Sequence, residues 1–173
     1  DTYGRYLKSL ESENNPFTDS NVFARFIKGK YTEMDNMIKN DTKDNFVNFA
    51  HRGASEYAPE NTMMSFYLGM YMGANGIETD VQKTKDGVLV LFHDDTLERV
   101  TGESGSISDY TFEELHNFNV KKNELTDKIV SFEDFLCHFA HRDITFAIEL
   151  KETGLEKEVS ELIYKYGIER KCV

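Results

Sequence analysis

Five short segments carry groups whose types and spacing could do chemistry: His51-Arg52-Gly53-Ala54, Pro59-Glu60-Asn61-Thr62, Glu78-Thr79-Asp80, His93-Asp94 and Glu149-Leu150-Lys151. His51 and His93 can exchange protons near neutral pH, so one could activate a nucleophile while the other protonates a leaving alkoxide. Glu78 and Asp80 are two residues apart, so on a strand both carboxylates face the same way. Crowded together, one of them would take up a proton unless a cation sat between them. Glu149 offers a third oxygen ligand, and an all-oxygen set with open positions suits Mg²⁺, Ca²⁺ or Mn²⁺ rather than a structural zinc. Arg52 presents a fork that matches phosphate oxygens. Lys151 shares the face of Glu149 and could be a second anion contact. The combination points to metal-assisted chemistry on a phosphate ester.

Taken singly, each group has a blander role. The carboxylates could pair with Lys83, Lys85 or Lys151, and either histidine could be structural. Arg52 and Lys151 could be ordinary surface charges. Gly53 could let the backbone approach a ligand or could simply serve a turn. Asn61 reads as a helix cap, and Glu60 as a helix-dipole partner or a contact for Arg52. His116, His138 and His141 have no chemical company and read as structural or exposed. The metal reading is favoured because three carboxylates and both histidines fall in register.

The elements that must position these groups follow from hydrophobic pattern. Phe46 to Ala50 is a short apolar run ending at His51, a first strand. Residues 62–72 read as a helix with Asn61 as N-cap and Gly73 as stop. Residues 76–81 form a second strand, Lys85-Asp86-Gly87 a tight turn, and residues 88–92 a third strand ending at His93. Residues 94–131 are polar and glycine-punctuated, with one short helix opened by the capping box Thr111 to Glu114. Ser131 opens another helix running to about Ala140, residues 144–148 form a fourth strand, and a last helix from Leu155 to Tyr166 stops at Gly167. Nearly continuous apolar strands suit a parallel sheet buried on both faces. Such sheets bind ligands beyond the carboxyl ends of their strands, where these candidate groups fall. A complete (β/α)₈ barrel needs about 250 residues, so the pattern is either about half of one or a smaller α/β sheet. Lys171-Cys172-Val173 reads as the approach to a fifth strand. Residues 1–45 are polar, with loosely helical spacing from Val22 to Ile38, and read as a mostly helical N-terminal extension.

The chain has 173 residues, 39% of them hydrophobic, enough for one domain with a core. Its net charge of −11 argues against nucleic acid and against an anionic membrane surface as partners. An acidic protein can still bind an anionic small molecule where a divalent cation and a few basic side chains reverse the local field. No stretch approaches the roughly 20 apolar residues of a membrane span. Cys137 and Cys172 form no paired motif, and Cys137 reads as a small buried hydrophobe. Unpaired thiols agree with a cytoplasmic location. A secreted form stays open as the alternative, because the chain begins at Asp1 rather than Met and could have lost a signal. Oligomeric state is not legible.

The ordered motifs His51-Arg52-Gly53-Ala54, Pro59-Glu60-Asn61-Thr62, Gly76-Ile77-Glu78-Thr79-Asp80-Val81, Thr84-Lys85-Asp86-Gly87, His93-Asp94 and Glu149-Leu150-Lys151 resemble those of the glycerophosphodiester phosphodiesterase family. The resemblance implies a TIM (β/α)₈ barrel, of which residues 46–173 would form the N-terminal half, with four strands and a small insertion at about 95–130. It implies one divalent ion, Mg²⁺ or Ca²⁺, on Glu78, Asp80 and Glu149. His51 and His93 would be the acid/base pair, with Arg52 and Lys151 on the phosphate. The implied reaction hydrolyses a glycerophosphodiester to sn-glycerol 3-phosphate and an alcohol, either by direct water attack or through a cyclic phosphate. Two other readings are a phospholipase D-like hydrolase of lysophospholipids or sphingomyelin, and an inactive truncated barrel or scaffold.

Overall fold

A computed structural model describes residues 46–173, and the helical extension expected over residues 1–45 lies outside them. Strand β1 (Phe49–His51) is followed by helix α1 (Met63–Tyr71) and strand β2 (Gly76–Lys83). A tight turn leads to β3 (Leu89–Leu91). Next come α2 (Glu98–Thr101), a 3₁₀ turn (Ile107–Asp109), α3 (Phe112–Leu115), and the hairpin of β4 (Asn119–Lys122) and β5 (Leu125–Lys128). Helix α4 (Phe132–Phe139), β6 (Thr145–Leu150) and α5 (Glu156–Tyr166) complete the order.

Strand β2 is central. It pairs in parallel with β1 on one side and with β6 on the other. The register sets His51 opposite Glu78 and Glu149 opposite Asp80. Cys172 forms a parallel bridge to Phe146, so a further strand direction begins beside β6 as expected.

The third strand differs from expectation. It runs antiparallel to β2, with Val81 opposite Leu91, because a turn as short as Thr84 to Val88 can join only antiparallel neighbours. The parallel barrel strands among the described residues are therefore β1, β2 and β6. The run is apolar throughout because it is covered on both faces, which also misleads a reading by pattern alone. Leu89 and Leu91 enter the main core against α1 and α4, while Val90 and Phe92 enter a second core with Leu97, Val100, Ile107, Leu115, Val120 and Ile129. Alternation along one strand thus links two cores.

The segment between His93 and Ser131 holds more structure than the single helix expected. Helix α2, the 3₁₀ turn and the β4–β5 hairpin were hidden because only one or two residues of each are buried, so no periodic apolar signal forms. The expected capping box of α3 is present, with Thr111 accepting from the Glu114 N–H and Glu114 accepting from the Thr111 N–H.

Helix α1 is buried almost all round, which its pattern of Met, Phe, Tyr and Leu requires. It packs tightly on β1: a Cβ on Gly69 would lie 2.7 Å from the Ala50 Cβ. Its cap is Thr62 rather than Asn61. The Thr62 hydroxyl accepts from the Ser65 N–H, and the Ser65 hydroxyl accepts from the Thr62 N–H. Asn61 stands one residue outside the helix in the left-handed region, with φ 54°, and is used elsewhere. Helix α5 ends at Gly167 as expected, with φ 65°. Cys137 corrects another expectation: it is exposed on α4, with its Sγ 3.0 Å from the Tyr166 hydroxyl. Among the described residues no helix is long and apolar enough to cross a membrane.

Candidate active site

Parallel register brings the acidic residues together. Glu78 and Asp80 project from the same face of β2, and Glu149 projects beside Asp80 from β6. Each offers a carboxylate oxygen within 4.8 Å of the others. Asp80 is completely buried, Glu78 is half-buried, and Glu149 is exposed. Burial and the neighbouring Asp80 charge push the Glu78 carboxyl up from its ordinary value. Lys151 holds Glu149 low through a 2.9 Å hydrogen bond.

Asp80 is held by one oxygen only. Its Oδ2 accepts from Asn61 Nδ2 at 2.9 Å and lies 3.4 Å from Arg52 Nε. Its Oδ1 has no hydrogen-bond donor, although Lys151 Nζ approaches to 3.7 Å. A buried carboxylate oxygen without a donor is costly, and it faces two further carboxylates. This set of three hard oxygen donors fits a divalent cation of the Mg²⁺ or Ca²⁺ type.

The turn after β1 explains why this arrangement forms. Arg52 and Gly53 both take positive φ, 55° and 77°, which turns the chain sharply at the rim. The Arg52 N–H donates to the Glu78 carbonyl and to Glu78 Oε2, both at 3.0 Å, tying the turn to β2. Gly53 also serves packing. A Cβ there would lie 2.4 Å from Ser65 Oγ, so the residue lets the turn touch the start of α1. Asn61 donates its N–H to the Arg52 carbonyl and accepts from the Thr79 hydroxyl at 2.8 Å. It therefore links both sides of β2 to the turn.

His51 stands at the mouth, mostly exposed, with Nε2 3.8 Å from Glu78 Oε2. Lys151 lies between Asp80 and Glu149, the pairing that the blander reading anticipated. Lys83 points to the other face and pairs with Glu158, so it leaves the acidic group to Arg52 and Lys151.

His93 arrives by a route the sequence did not reveal. It follows an antiparallel strand, whose return path brings the chain back to carboxylate level: the Phe92 N–H donates to the Asp80 carbonyl at 3.0 Å. Gln82, on the same face of β2 as Glu78 and Asp80, donates to the carbonyls of Phe92 and Asp94 at 3.0 and 2.8 Å. The two bonds bracket His93. Its Nδ1 lies 2.7 Å from Asp94 Oδ1.

Beside Arg52, the Glu60 carboxylate accepts from Arg52 Nη1 at 3.3 Å and from two nitrogens of Arg99. Burial alone would raise the Glu60 carboxyl, but Arg99 and then Arg52 outweigh it and hold the group low. Arg99 and Gln82 were not singled out from sequence. Both are polar residues beside apolar runs, and only the hairpin return makes them neighbours of His93. A cavity of about 190 Å³ beside Lys151 is bordered by Gln82, Lys83, Asp95, Ser106 and Glu152.

Parallel strands that deliver three carboxylates and a cationic pair to their carboxyl rim define part of a TIM-barrel enzyme architecture with an acidic, cation-ready centre. The chain belongs to the glycerophosphoryl diester phosphodiesterase family, whose model matches residues 51–170. It is 41% identical over 133 residues to a glycerophosphodiester phosphodiesterase from Bacillus altitudinis, covering 70% of this chain and 54% of that one. Among solved structures it resembles a glycerophosphodiester phosphodiesterase from Agrobacterium tumefaciens, with TM-score 0.67 and 31% identity over 73% of this chain and 56% of that one. It also resembles an Oleispira antarctica phosphodiesterase in complex with the product sn-glycerol-3-phosphate, with TM-score 0.61 and 31% identity over 68% of this chain and 51% of that one. The chain therefore spans about half the length of the relatives it matches.

Proposed function

We propose that this protein hydrolyses glycerophosphodiesters to sn-glycerol 3-phosphate and an alcohol. The observation that carries this reading is the buried, donorless Asp80 Oδ1 facing Glu78 and Glu149, with Arg52, Lys151 and His51 nearby and His93 one residue after the Phe92 N–H that donates to the Asp80 carbonyl. Family membership and the product bound to the Oleispira relative support the substrate class.

Glu78, Asp80 and Glu149 would hold one divalent cation, Mg²⁺ or Ca²⁺. Bound there, it supplies positive charge to the phosphate oxygens as negative charge develops on them. Arg52 and Lys151 bind and orient the phosphate, and their positive charge offsets the acidic surroundings. His51 and His93 form the acid/base pair. One takes the proton of the attacking hydroxyl, from water or from the glycerol 2-hydroxyl, and the other gives a proton to the departing alkoxide.

Phosphorus NMR of glycerophosphocholine incubated with the full-length protein tests this reading. Appearance of sn-glycerol 3-phosphate, with or without a transient cyclic phosphate, is the expected result. An unchanged substrate resonance, with lysophospholipid consumed instead, would move the reading to the phospholipase D-like alternative.

A further inference from the structure

A chain of ion pairs runs beside the three carboxylates and meets them through Arg52, whose Nε lies 3.4 Å from Asp80 Oδ2. Arg99, on the short helix α2, grips two acids at once. Its Nη1 and Nη2 donate to Glu60 Oε2 and Oε1 at 2.9 and 2.6 Å, while Nη2 and Nε donate to Asp94 Oδ1 and Oδ2, the former at 2.9 Å. Asp94 Oδ1 in turn meets His93 Nδ1, and Glu60 Oε1 meets Arg52 Nη1. We propose that Arg99 is a positioning residue, fixing His93 through Asp94 and Arg52 through Glu60. The proposal rests on the reading of His93 as half of an acid/base pair.

The chemistry of each link supports it. An ionised carboxylate can only accept, so the His93 Nδ1 must carry the proton and Nε2 is left to exchange protons with a substrate. Asp94 stays ionised across any working pH, because the Arg99 bonds, with His93 helping, hold its carboxyl down to about 2. A single Asp next to its own histidine could turn among rotamers. Gripped at both oxygens by a planar fork, it cannot, and a lysine in place of Arg99 would hold only one oxygen at a time.

The placement argues for orientation rather than stability. The Arg99 side chain is 51% exposed, and ion pairs this exposed stabilise a fold by little. Its helix is nonetheless anchored, since Leu97, Val100 and Thr101 are buried and the Thr101 hydroxyl donates to the Leu97 carbonyl at 2.7 Å. Glu60, His93 and Asp94 also present ligand atoms close enough together for a metal, but the Arg99 guanidinium already supplies the cation there.

The test uses the full-length protein and its Arg99→Ala, Arg99→Lys and Asp94→Asn variants. Nitrogen NMR of the histidine rings reads the His93 tautomer, and steady-state assays with glycerophosphocholine read kcat and KM. In the parent protein the His93 proton should sit on Nδ1. Arg99→Ala should mix the tautomers and lower kcat by about 10- to 100-fold, the usual scale for a partner that orients a reacting group, with a smaller change in KM and little change in melting temperature. Arg99→Lys should restore only part of kcat, and Asp94→Asn should cost little more when added to Arg99→Ala. Wild-type kcat and an unchanged tautomer in both Arg99 variants would overturn the proposal. So would a large loss of thermal stability in Arg99→Ala with full turnover in Arg99→Lys. If the parent protein cleaves no diester, the functional reading fails, and the tautomer alone then decides whether Arg99 positions His93.

Discussion

Asp80 shows how one residue can be both settled and unsatisfied. Asn61 and Arg52 hold its Oδ2, while Oδ1 is buried against two more carboxylates. Glu78 feels the consequence: burial and the Asp80 charge raise its carboxyl, so the metal-free fold binds that proton more tightly than the unfolded chain does. Metal-free stability from this group is therefore greatest below the ordinary carboxylate value and declines as pH rises through the raised one. Glu78→Gln removes the charge and keeps the shape. At neutral pH it should raise the melting temperature of the metal-free protein and shrink the further rise that Mg²⁺ or Ca²⁺ produces, both readable by calorimetry. His51→Ala and His93→Ala should instead lower turnover by about 100-fold or more while leaving metal affinity intact, since neither is placed as a ligand. Asp94 carries the opposite linkage. Its depressed carboxyl contributes stability that is present above the ordinary value of 3.8 and is lost as pH falls toward about 2. Screening at the exposed Arg99 limits this to less than about 1 kcal/mol, and acid unfolding of Asp94→Asn should lack that part of the transition. The carboxylates, His51, Arg52 and Lys151 were legible in sequence because spacing along parallel strands puts them on one rim, whereas His93 follows an antiparallel strand that was read as parallel. Asn61 was not, because a left-handed residue one place outside a helix looks like its cap.

At the scale of elements, the turn after β1 and the β2–β3 hairpin do the positioning. Gly53 combines a positive φ with backbone pressed against Ser65. Gly53→Ala should cost about 2–4 kcal/mol, through left-handed strain and overpacking together. Denaturant unfolding would measure it, and metal affinity should fall in parallel because the same turn carries Arg52 onto Glu78. The direction of β3 could have been read from its turn, which is too short for a parallel crossover. Its apolar run instead suggested a central barrel strand, because the second core that covers Val90 and Phe92 is built from segments with almost no pattern of their own. The β4–β5 hairpin was missed for the same reason. Val120 and Leu125 are the buried anchors of those two strands, and charged residues fill the positions between.

At the scale of the molecule, the described residues form two cores that meet at one strand, and the site lies where they join. The main core under α1, α4 and α5 holds the parallel strands with Glu78, Asp80 and Glu149. The second core holds α2 and the chain after His93. Leu97 is fully buried in that second core, so Leu97→Ala should cost about 2–5 kcal/mol. Melting would report that loss, and it should lower kcat even at temperatures where the protein stays folded, because Arg99 and Asp94 would lose their support. Glu78, Asp80 and Glu149 are proposed as a divalent-cation centre for diester cleavage. The most direct test is the rate of glycerol 3-phosphate release from glycerophosphocholine by the full-length protein, measured before EDTA, after EDTA, and after Mg²⁺ or Ca²⁺ is restored. Turnover should vanish with chelation and return with one of the two ions in the parent protein, but need far more ion in Glu78→Gln. Turnover that survives chelation, or that Glu78→Gln leaves equally responsive to metal, would contradict that assignment.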